Sequence, residues 1–512
     1  MAKALVEQGK GDEDLHMTQN ECQSKRSAGV LLHISSLPSP YGIGSFGETA
    51  FRWIDFLVDA GQHYWQILPL GPTGKGDSPY QSFSAFAGNP YFIDLDMLWK
   101  EGLLDRDDYA GLHWRRFNTQ TDYGMVYRNR ELVLRKAFSR FSDTAAIDEF
   151  IERNHWFENY GLFLLCKNAQ KLKPWMEWDE SLRTRQSRAL ENIKEKYQED
   201  YRYHAFAQYQ FKRQWNALRA YANAKGIEII GDIPIYVSLD STDVWIDPDI
   251  FQLGKDGYPL EISGCPPDSF SSEGQLWGNP LYDWQEMAKT DYHWWIQRLK
   301  SSFELYDALR LDHFRGLESY FAIPFNAMTA TDGIWKTGPG EHFIDAVKTS
   351  FPDARIIAED LGFLTKEVYD LLEYSGYPGM KLLQYAFDTR EAGNYIPYRY
   401  TANSVVYTGT HDNDTIKGWG ADAPPDCVRD AMEYMGLRRK IDLTDGMIRL
   451  AMQSQSDLAI IQFQDWLKLG SRARMNTPST VGGNNWKWRM RKNDMNGRLA
   501  GKMARMTHLF GR

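Results

Sequence analysis

The stretch ALRLDHF, residues 308–314, is a largely apolar run that contains the charged residue Arg310. The polar residues Asp312 and His313 interrupt it near its end. Seven similar runs recur along the chain: GVLLHISSL (29–37), YWQILPL (64–70), IEIIGDIPIYV (227–237), RIIAEDLG (355–362), GMKLLQYAF (379–387), SVVYTGTHD (404–412) and LAIIQFQDWL (458–467). Nearly continuous apolarity is typical of strands that are buried on both faces of a parallel sheet. Helical patterns separate several runs, as at 48–61 and 366–376. Eight strands alternating with helices predict an α/β fold, a (β/α)8 TIM barrel.

Two large insertions are predicted where consecutive strands lie unusually far apart. The first, about 95–226 between the second and third strands, is mainly helical because apolar residues recur there at helical spacing. These residues are Phe211, Trp215, Leu218 and Ala222. The second, about 238–305 after the third strand, contains the turn-rich stretch 254–280 and is expected to be rich in loops. Both insertions follow the C-terminal ends of strands, where barrel enzymes build their active sites.

The termini and the composition limit the class of protein. Residues 1–28 are polar and lack a secretory signal pattern, so we expect a flexible lead-in before a catalytic barrel at 29–512. The net charge is −9, from 59 basic and 68 acidic residues, without a basic stripe. Nucleic acids and anionic membrane surfaces are therefore not expected as partners. We expect a monomer or a small homo-oligomer.

The cysteines point to a reducing compartment. Cys22, Cys166, Cys265 and Cys427 lie far apart and form no CxxC pair. This spacing argues against a zinc site or a disulfide framework, and no apolar run is long enough to span a bilayer. We therefore predict a cytoplasmic protein.

Three acidic residues interrupt the apolar pattern at the ends of predicted strands. These are Asp312, Glu359 and Asp412. One such carboxylate could equally be a structural ion-pair partner, but three at one barrel mouth favour chemistry, because an unemployed buried charge is costly. Cleavage of a glycosidic bond needs one acid to protonate the leaving oxygen and a carboxylate to attack carbon or activate water. A third acid can stabilise the oxocarbenium-like charge.

Neighbouring residues suggest different tasks for these acids. Arg310 and Asp312 point to the same face of a strand, so the guanidinium would keep Asp312 ionised. Glu359 has a more apolar setting, which favours a raised pKa and a proton-donor role. His411 either binds a sugar hydroxyl or is structural, whereas His313 is expected to be structural. The spacing within HDND (411–414) does not fit a metal site.

Aromatic residues make up 14% of the chain, with 18 Trp and 28 Tyr. Most are expected to fill the core, because aromatic side chains dominate core burial. Others could line a groove for a ligand with apolar faces and polar edges, such as a sugar.

The strand-end motifs resemble those of a known family. ALRLDHFRG, IIAEDLG and YTGTHDNDT are similar to motifs of the amylomaltases, or 4-α-glucanotransferases, of the α-amylase clan. Further stretches carry the same resemblance: 31–47, 77–95, GDIPIYV (231–237), GQLWGNPLY (274–282) and ARMNTPST (473–480). The resemblance runs from about residue 29 to beyond residue 488. It implies a barrel without the C-terminal β domain of many amylases.

The resemblance also implies a retaining double displacement that transfers α-1,4-glucan segments to the 4-hydroxyl of an acceptor. Asp312 matches the nucleophile, Glu359 the general acid/base and Asp412 the transition-state stabiliser. The implied substrate-binding residues are Tyr80, Asp232, Asp268, Phe270, Gln275, Trp277, Arg310, Asp388 and His411. Among them, Tyr80 matches an aromatic platform, and Phe270, Gln275 and Trp277 match a mobile loop over the site. The implied partners are malto-oligosaccharides and other starch- or glycogen-derived α-glucans.

The motif GDIPIYV departs from the wider clan because it lacks the histidine that usually follows the aspartate. This is the transferase pattern, and it removes a calcium-associated landmark, so neither a metal nor a cofactor is expected. An α-1,4-glucan hydrolase of the same clan is the main alternative, because both reactions share the covalent glycosyl-enzyme. A non-catalytic glucan-binding protein is a weaker alternative, since all three acids are present.

Overall fold

The computed structural model describes residues 26–74, 76–267, 272–362, 364–388 and 395–512. Its strands are β1 Ser27–Leu31, β2 Tyr64–Gln66, β3 Glu228–Ile233, β4 Glu261–Cys265, β5 Gln275–Pro280, β6 Ala308–Leu311, β7 Ser319–Pro324, β8 Ile334–Thr337, β9 Ile356–Ala358, β10 Gly379–Leu382, β11 Ser404–Tyr407 and β12 Leu458–Gln462.

Eight of these strands close into a parallel barrel in the order β1-β2-β3-β6-β9-β10-β11-β12. Each of the eight predicted runs overlaps one barrel strand, with β1 beginning two residues before its run, and the strands follow chain order around the barrel. The predicted (β/α)8 fold is therefore confirmed. The barrel strands are almost entirely buried, as their continuous apolarity requires.

The helices surround this barrel. They are α1 Glu48–Asp59, α2 Leu95–Lys100, α3 Tyr123–Arg140, α4 Thr144–Arg153, α5 Trp156–Ala169, α6 Glu180–Arg183, α7 Ser187–Lys196, α8 Gln198–Ala224, α9 Thr242–Ile246, α10 Trp284–Ala288, α11 His293–Leu305, α12 Gly340–Ser350, α13 Lys366–Ser375, α14 Ile416–Asp422, α15 Pro425–Tyr434, α16 Leu443–Gln453, α17 Phe463–Trp466 and α18 Gly497–Leu509. Helix α13 ends where Gly376 adopts a left-handed φ of 71°, which suits glycine.

Helices α2 to α8 lie between β2 and β3. In α8, the four apolar residues that recur at helical spacing are all buried. The Trp215 ring packs against Phe46, and its indole Nε1–H donates to the Leu305 carbonyl oxygen at 3.0 Å. The buried face of this long helix therefore joins the segment between β2 and β3 to the body of the protein.

A second, antiparallel sheet takes part of the insertion that is predicted at 238–305 as rich in loops. Strands β4 and β5 of that segment pair with each other, and β4 also pairs with β7, in the order β5-β4-β7-β8. The sequence did not indicate this sheet because β7 and β8 come from the segment after β6, so the partners are distant in sequence. The segment ends in α11, which packs on barrel strands β3 and β6.

Two arginines close the end of the barrel where the strands begin. Arg512 donates to the carbonyl oxygens of Ser27 at 3.0 Å and Met452 at 2.7 Å. Arg26 donates to the carbonyl oxygen of Ser454 at 2.7 Å. In the described part of the chain, no strand follows β12, and no helix combines the length and apolar character needed to cross a membrane.

Candidate active site

The three acids lie together at the mouth of the barrel, beyond the C-terminal ends of parallel strands. Asp312 follows β6 and Glu359 follows β9, while Asp412 lies in the turn after β11. The backbone N–H of Asp312 donates to the Ile233 carbonyl oxygen at 3.0 Å, and that of Glu359 donates to Leu311 at 3.0 Å. The hydrogen-bond ladder thus continues one residue past each strand and fixes both acids at its edge.

Arg310 connects two carboxylates inside the barrel. Its Nη1 lies 2.8 Å from Asp312 Oδ1, and the same nitrogen lies 2.8 and 2.9 Å from the two oxygens of Asp232. Burial disfavours the charged guanidinium, but the two carboxylates outweigh burial and hold the pKa of Arg310 well above its usual value. Arg310 and Asp312 thus share a face of β6, as the sequence predicts, and Asp312 carries a permanent cationic partner.

Glu359 has a different environment. Burial raises the pKa of Glu359 to about 8, and the neighbouring Asp312 charge adds to this effect against the opposing field of Arg310. Two backbone N–H groups bind the carboxyl: His313 donates to Oε2 at 2.7 Å and Leu361 donates to Oε1 at 2.9 Å. The side chain is held rigidly, and at neutral pH it carries a proton that it can give away.

Asp412 is kept ionised by its partners. Burial opposes ionisation, but His411 and Asn476 together hold the pKa of Asp412 well below its usual range. His411 Nε2 lies 3.3 Å from Asp412 Oδ2, and Asn476 Nδ2 donates to Oδ1 at 2.6 Å. In return, the carboxylate outweighs burial and raises the pKa of His411. A carboxylate beside an imidazole can bind sugar hydroxyls, and its negative charge can stabilise positive charge at carbon.

An aromatic platform stands beside these groups. Tyr80 donates from its hydroxyl to Asp232 Oδ2 at 2.8 Å. Its ring stacks on His411, with 5.0 Å between centroids and 16° between planes. Trp486 lies 5.8 Å from the Tyr80 ring and 5.9 Å from His411. His411 and Trp486 are buried, whereas Tyr80 is half-buried, so the Tyr80 ring is the aromatic surface of this cluster that stays partly open beside the polar groups.

The small sheet supplies a wall of the site. Trp277 of β5 meets the His313 ring edge to face at 4.8 Å, and its indole Nε1–H donates to Gln275 Oε1 at 3.1 Å. Gln275 and Trp277 therefore lie on strand β5 and not in a loop, and the expected mobility of this segment stays a prediction. They lie on a strand, half-buried at alternate positions, because a strand points every second side chain to the same face.

His313 has the structural position that the sequence favoured. It adopts a left-handed φ of 54°, which turns the chain so that its backbone N–H reaches Glu359. Burial lowers the pKa of the His313 imidazole to about 4, so the ring stays neutral. Its conformation serves the neighbouring acid without requiring chemistry of the imidazole.

The remaining predicted site residues have different outcomes. Asp268 and Phe270 lie outside the described residues. Asp388 is half-buried in the turn after β10, and its role as a substrate contact stays a prediction. Within the described ranges, no group of three His, Cys, Asp or Glu side chains could hold a metal ion. The expected absence of a metal or cofactor remains a prediction.

Sequence reasoning missed three contributors from the C-terminal part of the chain. Asn476 binds Asp412, Trp486 completes the platform, and Arg474 Nη2 donates to the Asp412 carbonyl oxygen at 2.6 Å. Arg474 and Asn476 belong to the motif ARMNTPST (473–480), which carries part of the family resemblance. This motif does not follow a predicted strand directly, so its sequence does not indicate that it reaches the site. Trp486 had no signal beyond the abundance of tryptophan.

Known proteins resemble the chain along nearly its whole length. The profile of the 4-alpha-glucanotransferase family matches residues 32–495. The 4-alpha-glucanotransferase of Clostridium butyricum is 46% identical over 486 residues, covering 94% of the chain and 100% of the relative. That of Thermus thermophilus is 44% identical over 479 residues, covering 91% of the chain and 95% of the relative.

A solved structure has the same architecture. The amylomaltase from Streptococcus agalactiae, in complex with acarbose, superposes with a TM-score of 0.93 at 41% identity, covering 95% of the chain and 99% of the relative. Sequence and fold therefore agree along the length that carries the three acids and their partners. The chain belongs to the 4-alpha-glucanotransferase family and is an enzyme that transfers glucan segments.

Proposed function

We propose that transfer proceeds by a retaining double displacement in which Asp312 is the nucleophile and Glu359 the general acid/base. The difference in environment between these neighbouring acids carries the proposal. Arg310 is paired with the carboxylate of Asp312, whereas burial keeps Glu359 protonated at neutral pH. A retaining mechanism needs a nucleophilic carboxylate beside a second carboxyl group that can give up a proton.

In the first step, an Asp312 oxygen bonds to the anomeric carbon of the donor while the bond from that carbon to the glycosidic oxygen breaks. Glu359 gives its proton to the departing oxygen, so the leaving segment departs as a neutral alcohol. The carbon becomes part of a β-linked glycosyl ester. Asp412 and His411 bind hydroxyls of the same sugar and stabilise the oxocarbenium-like charge.

In the second step, the 4-hydroxyl of an acceptor glucan replaces the departed segment. Glu359, now ionised, takes the hydroxyl proton as the acceptor oxygen bonds to the anomeric carbon. The ester bond breaks, and Asp312 regains its charge. Two inversions restore the α configuration, and the chain of the acceptor is extended through an α-1,4 bond.

The preference for transfer over hydrolysis is assigned to the wall that carries Trp277. An indole ring at half-burial beside the mouth can stack on an acceptor sugar and keep water from the ester. We propose donor malto-oligosaccharides and acceptor glucans or glucose as the substrates. The matching family and the acarbose bound to the Streptococcus agalactiae relative support this choice.

The wider biological setting is part of the same proposal. The cysteine spacing supports a cytoplasmic location, and a monomer or small homo-oligomer suits a site formed within one chain. The catalytic barrel is assigned to the predicted residues 29–512 and the two residues before them, because β1 begins at Ser27, with a helical insertion at about 95–226.

Incubation with maltotriose tests the proposal. A transferase produces glucose and longer dextrins while the total number of reducing ends stays nearly constant. Steadily rising reducing ends without longer products would instead support the hydrolase alternative. Proton NMR of the first products from α-glucosyl fluoride should show the α anomer, and initial formation of the β anomer would exclude double displacement.

A further inference from the structure

Asp465 is a buried carboxylate that the proposed mechanism does not use. It lies in α17, directly after the last barrel strand, and its side chain is fully removed from solvent. Asp465 Oδ2 accepts a hydrogen bond from the Thr408 hydroxyl at 2.7 Å, and Oδ1 accepts one from the backbone N–H of Ile416 at 2.7 Å. Burying a carboxylate is costly without such donors, so both contacts are held firmly.

The two donors stand at opposite ends of one segment of chain. Thr408 is the first residue after β11, and Ile416 is the first residue of α14. Between them lie His411 and Asp412, the imidazole and carboxylate assigned to the sugar. A single carboxylate therefore fastens both ends of the segment 408–416, which presents these two groups to the barrel mouth.

The middle of the segment has little room to adjust. Gln384 and Gln462 donate from their amides to the Asp414 carbonyl oxygen at 2.7 and 3.2 Å. At Gly409, a methyl group would come within 2.6 and 2.8 Å of the same two amide nitrogens. Asn413 Oδ1 accepts from the backbone N–H of Thr410 at 2.8 Å. With the turn packed this closely, the position of its ends determines the position of Asp412.

We propose that Asp465 is a positioning residue of the transfer reaction, which sets the geometry of Asp412 and His411 from behind the segment 408–416. It touches no substrate and acts only through the groups that it places. The inference rests on the proposed role of Asp412. Groups that support a reacting side chain in this way control its orientation, and small displacements are costly to the rate.

Substitution of Asp465 by asparagine tests this role. Asparagine keeps one acceptor oxygen for the Ile416 N–H and places an amide NH2 group against Thr408, so the Thr408 hydroxyl must reverse and accept, which changes the geometry at that end of the segment. We expect kcat for maltotriose to fall about 100-fold while KM changes far less, because a misplacement near 1 Å costs about that factor. A normal kcat, or a rise in KM with kcat unchanged, would overturn the proposal.

Thr408 provides a second test in case Asp465→Asn fails to fold. Thr408→Val has nearly the same shape but no hydroxyl, whereas Thr408→Ser keeps the hydroxyl. We expect a loss of kcat in Thr408→Val and near-normal kcat in Thr408→Ser. Equal kcat in the two variants would contradict a hydrogen-bonded anchor.

Asp307 is the matched control, because it is a largely buried acid that lies directly before β6, at the opposite end of the barrel. It accepts from the backbone N–H of Ile229 at 2.8 Å and from Arg219 Nη2 at 2.7 Å. Asp307→Asn should lower Tm and leave kcat unchanged. If it lowers kcat as much as Asp465→Asn at a similar loss of Tm, then stability alone explains the effect and the proposal fails.

A double variant tests whether Asp465 acts through Asp412. With α-glucosyl fluoride as donor, Asp465→Asn introduced into Asp412→Asn should change the rate by no more than about threefold, because coupled residues are not additive. If Asp465→Asn lowers the rate of the Asp412→Asn enzyme by the same factor as it lowers that of the unmodified enzyme, the proposal is overturned. If Asp412→Asn alone is fully active, the proposed function fails and the inference with it. If Asp412→Asn loses activity as expected while Asp465→Asn keeps full activity, the inference about Asp465 fails and the proposed function stands.

Discussion

Glu359 offers a test in which the structure fixes both the pH and the size of the effect. Its pKa is raised from the usual 4.5 to about 8, chiefly by burial. At pH 7, a carboxyl group with a pKa of 8 is about 90% protonated, whereas one with a pKa of 4.5 would be about 0.3% protonated. The environment of Glu359 therefore increases the protonated fraction of its carboxyl group at pH 7 about 300-fold, which corresponds to about 3 kcal/mol.

The measurement is kcat/KM for maltotriose against pH. Above pH 8 the acid form of Glu359 disappears, so kcat/KM should fall with an apparent pKa near 8. With α-glucosyl fluoride, the fluoride departs without a proton. With this donor, the decrease in kcat/KM above pH 8 should therefore disappear under conditions in which the first step limits the rate.

Glu359→Gln completes this test. We expect a loss of about 100- to 10,000-fold with maltotriose and a much smaller loss with the fluoride donor. Azide, which needs no deprotonation, should restore turnover and give α-glucosyl azide, whereas Asp312→Gly with azide should give the β product. An alkaline fall that persists unchanged in Glu359→Gln, or a β azide product from it, would refute the assignment.

Three further predictions concern other parts of the molecule. Asp312→Asn should lower kcat for maltotriose by about four to six orders of magnitude, since covalent catalysis is removed, and turnover at the normal rate would exclude the nucleophile assignment. Trp277→Ala should raise KM for the acceptor about three- to tenfold through loss of stacking, and it should increase the release of reducing ends by hydrolysis. An unchanged product pattern would contradict the role of Trp277 in binding the acceptor and excluding water. Arg512→Leu should cost about 2 kcal/mol of folding stability, measured as a lower Tm by calorimetry, while kcat at 25 °C stays normal.

The barrel could be predicted because each of its strands carries its own signal. A strand such as Ser404–Tyr407 is apolar throughout, so a short window of sequence reveals it. Parallel strands bring their C-terminal ends to one rim, which places Asp312 and Glu359 together without further information. The spacing of Arg310 and Asp312 likewise indicated their ion pair, because alternate residues of a strand share a face.

The rest depends on contacts between distant parts of the chain. The small sheet was missed because Ser263 pairs with Ala322, and turn-rich sequence around β4 and β5 conceals their short strands. Asn476 reaches Asp412 across 64 positions of sequence. Such a contact is determined by how the C-terminal segment packs across the barrel mouth, and local periodicity contains no information about it.

The small sheet has a consequence for how relatives of this enzyme can diverge. Its strands leave the barrel in two separate excursions, one after β3 and one after β6, and the second begins at Ser319, shortly after Asp312. The small sheet, which carries Trp277, is thus linked to the nucleophile Asp312 by the short connection from Asp312 to Ser319. Insertions between β4 and β5 can reshape the acceptor side at little cost. A change in the length of the connection from Asp312 to Ser319 would instead shift the reacting carboxylate, so variation in substrate choice should accumulate in the first excursion and spare the second.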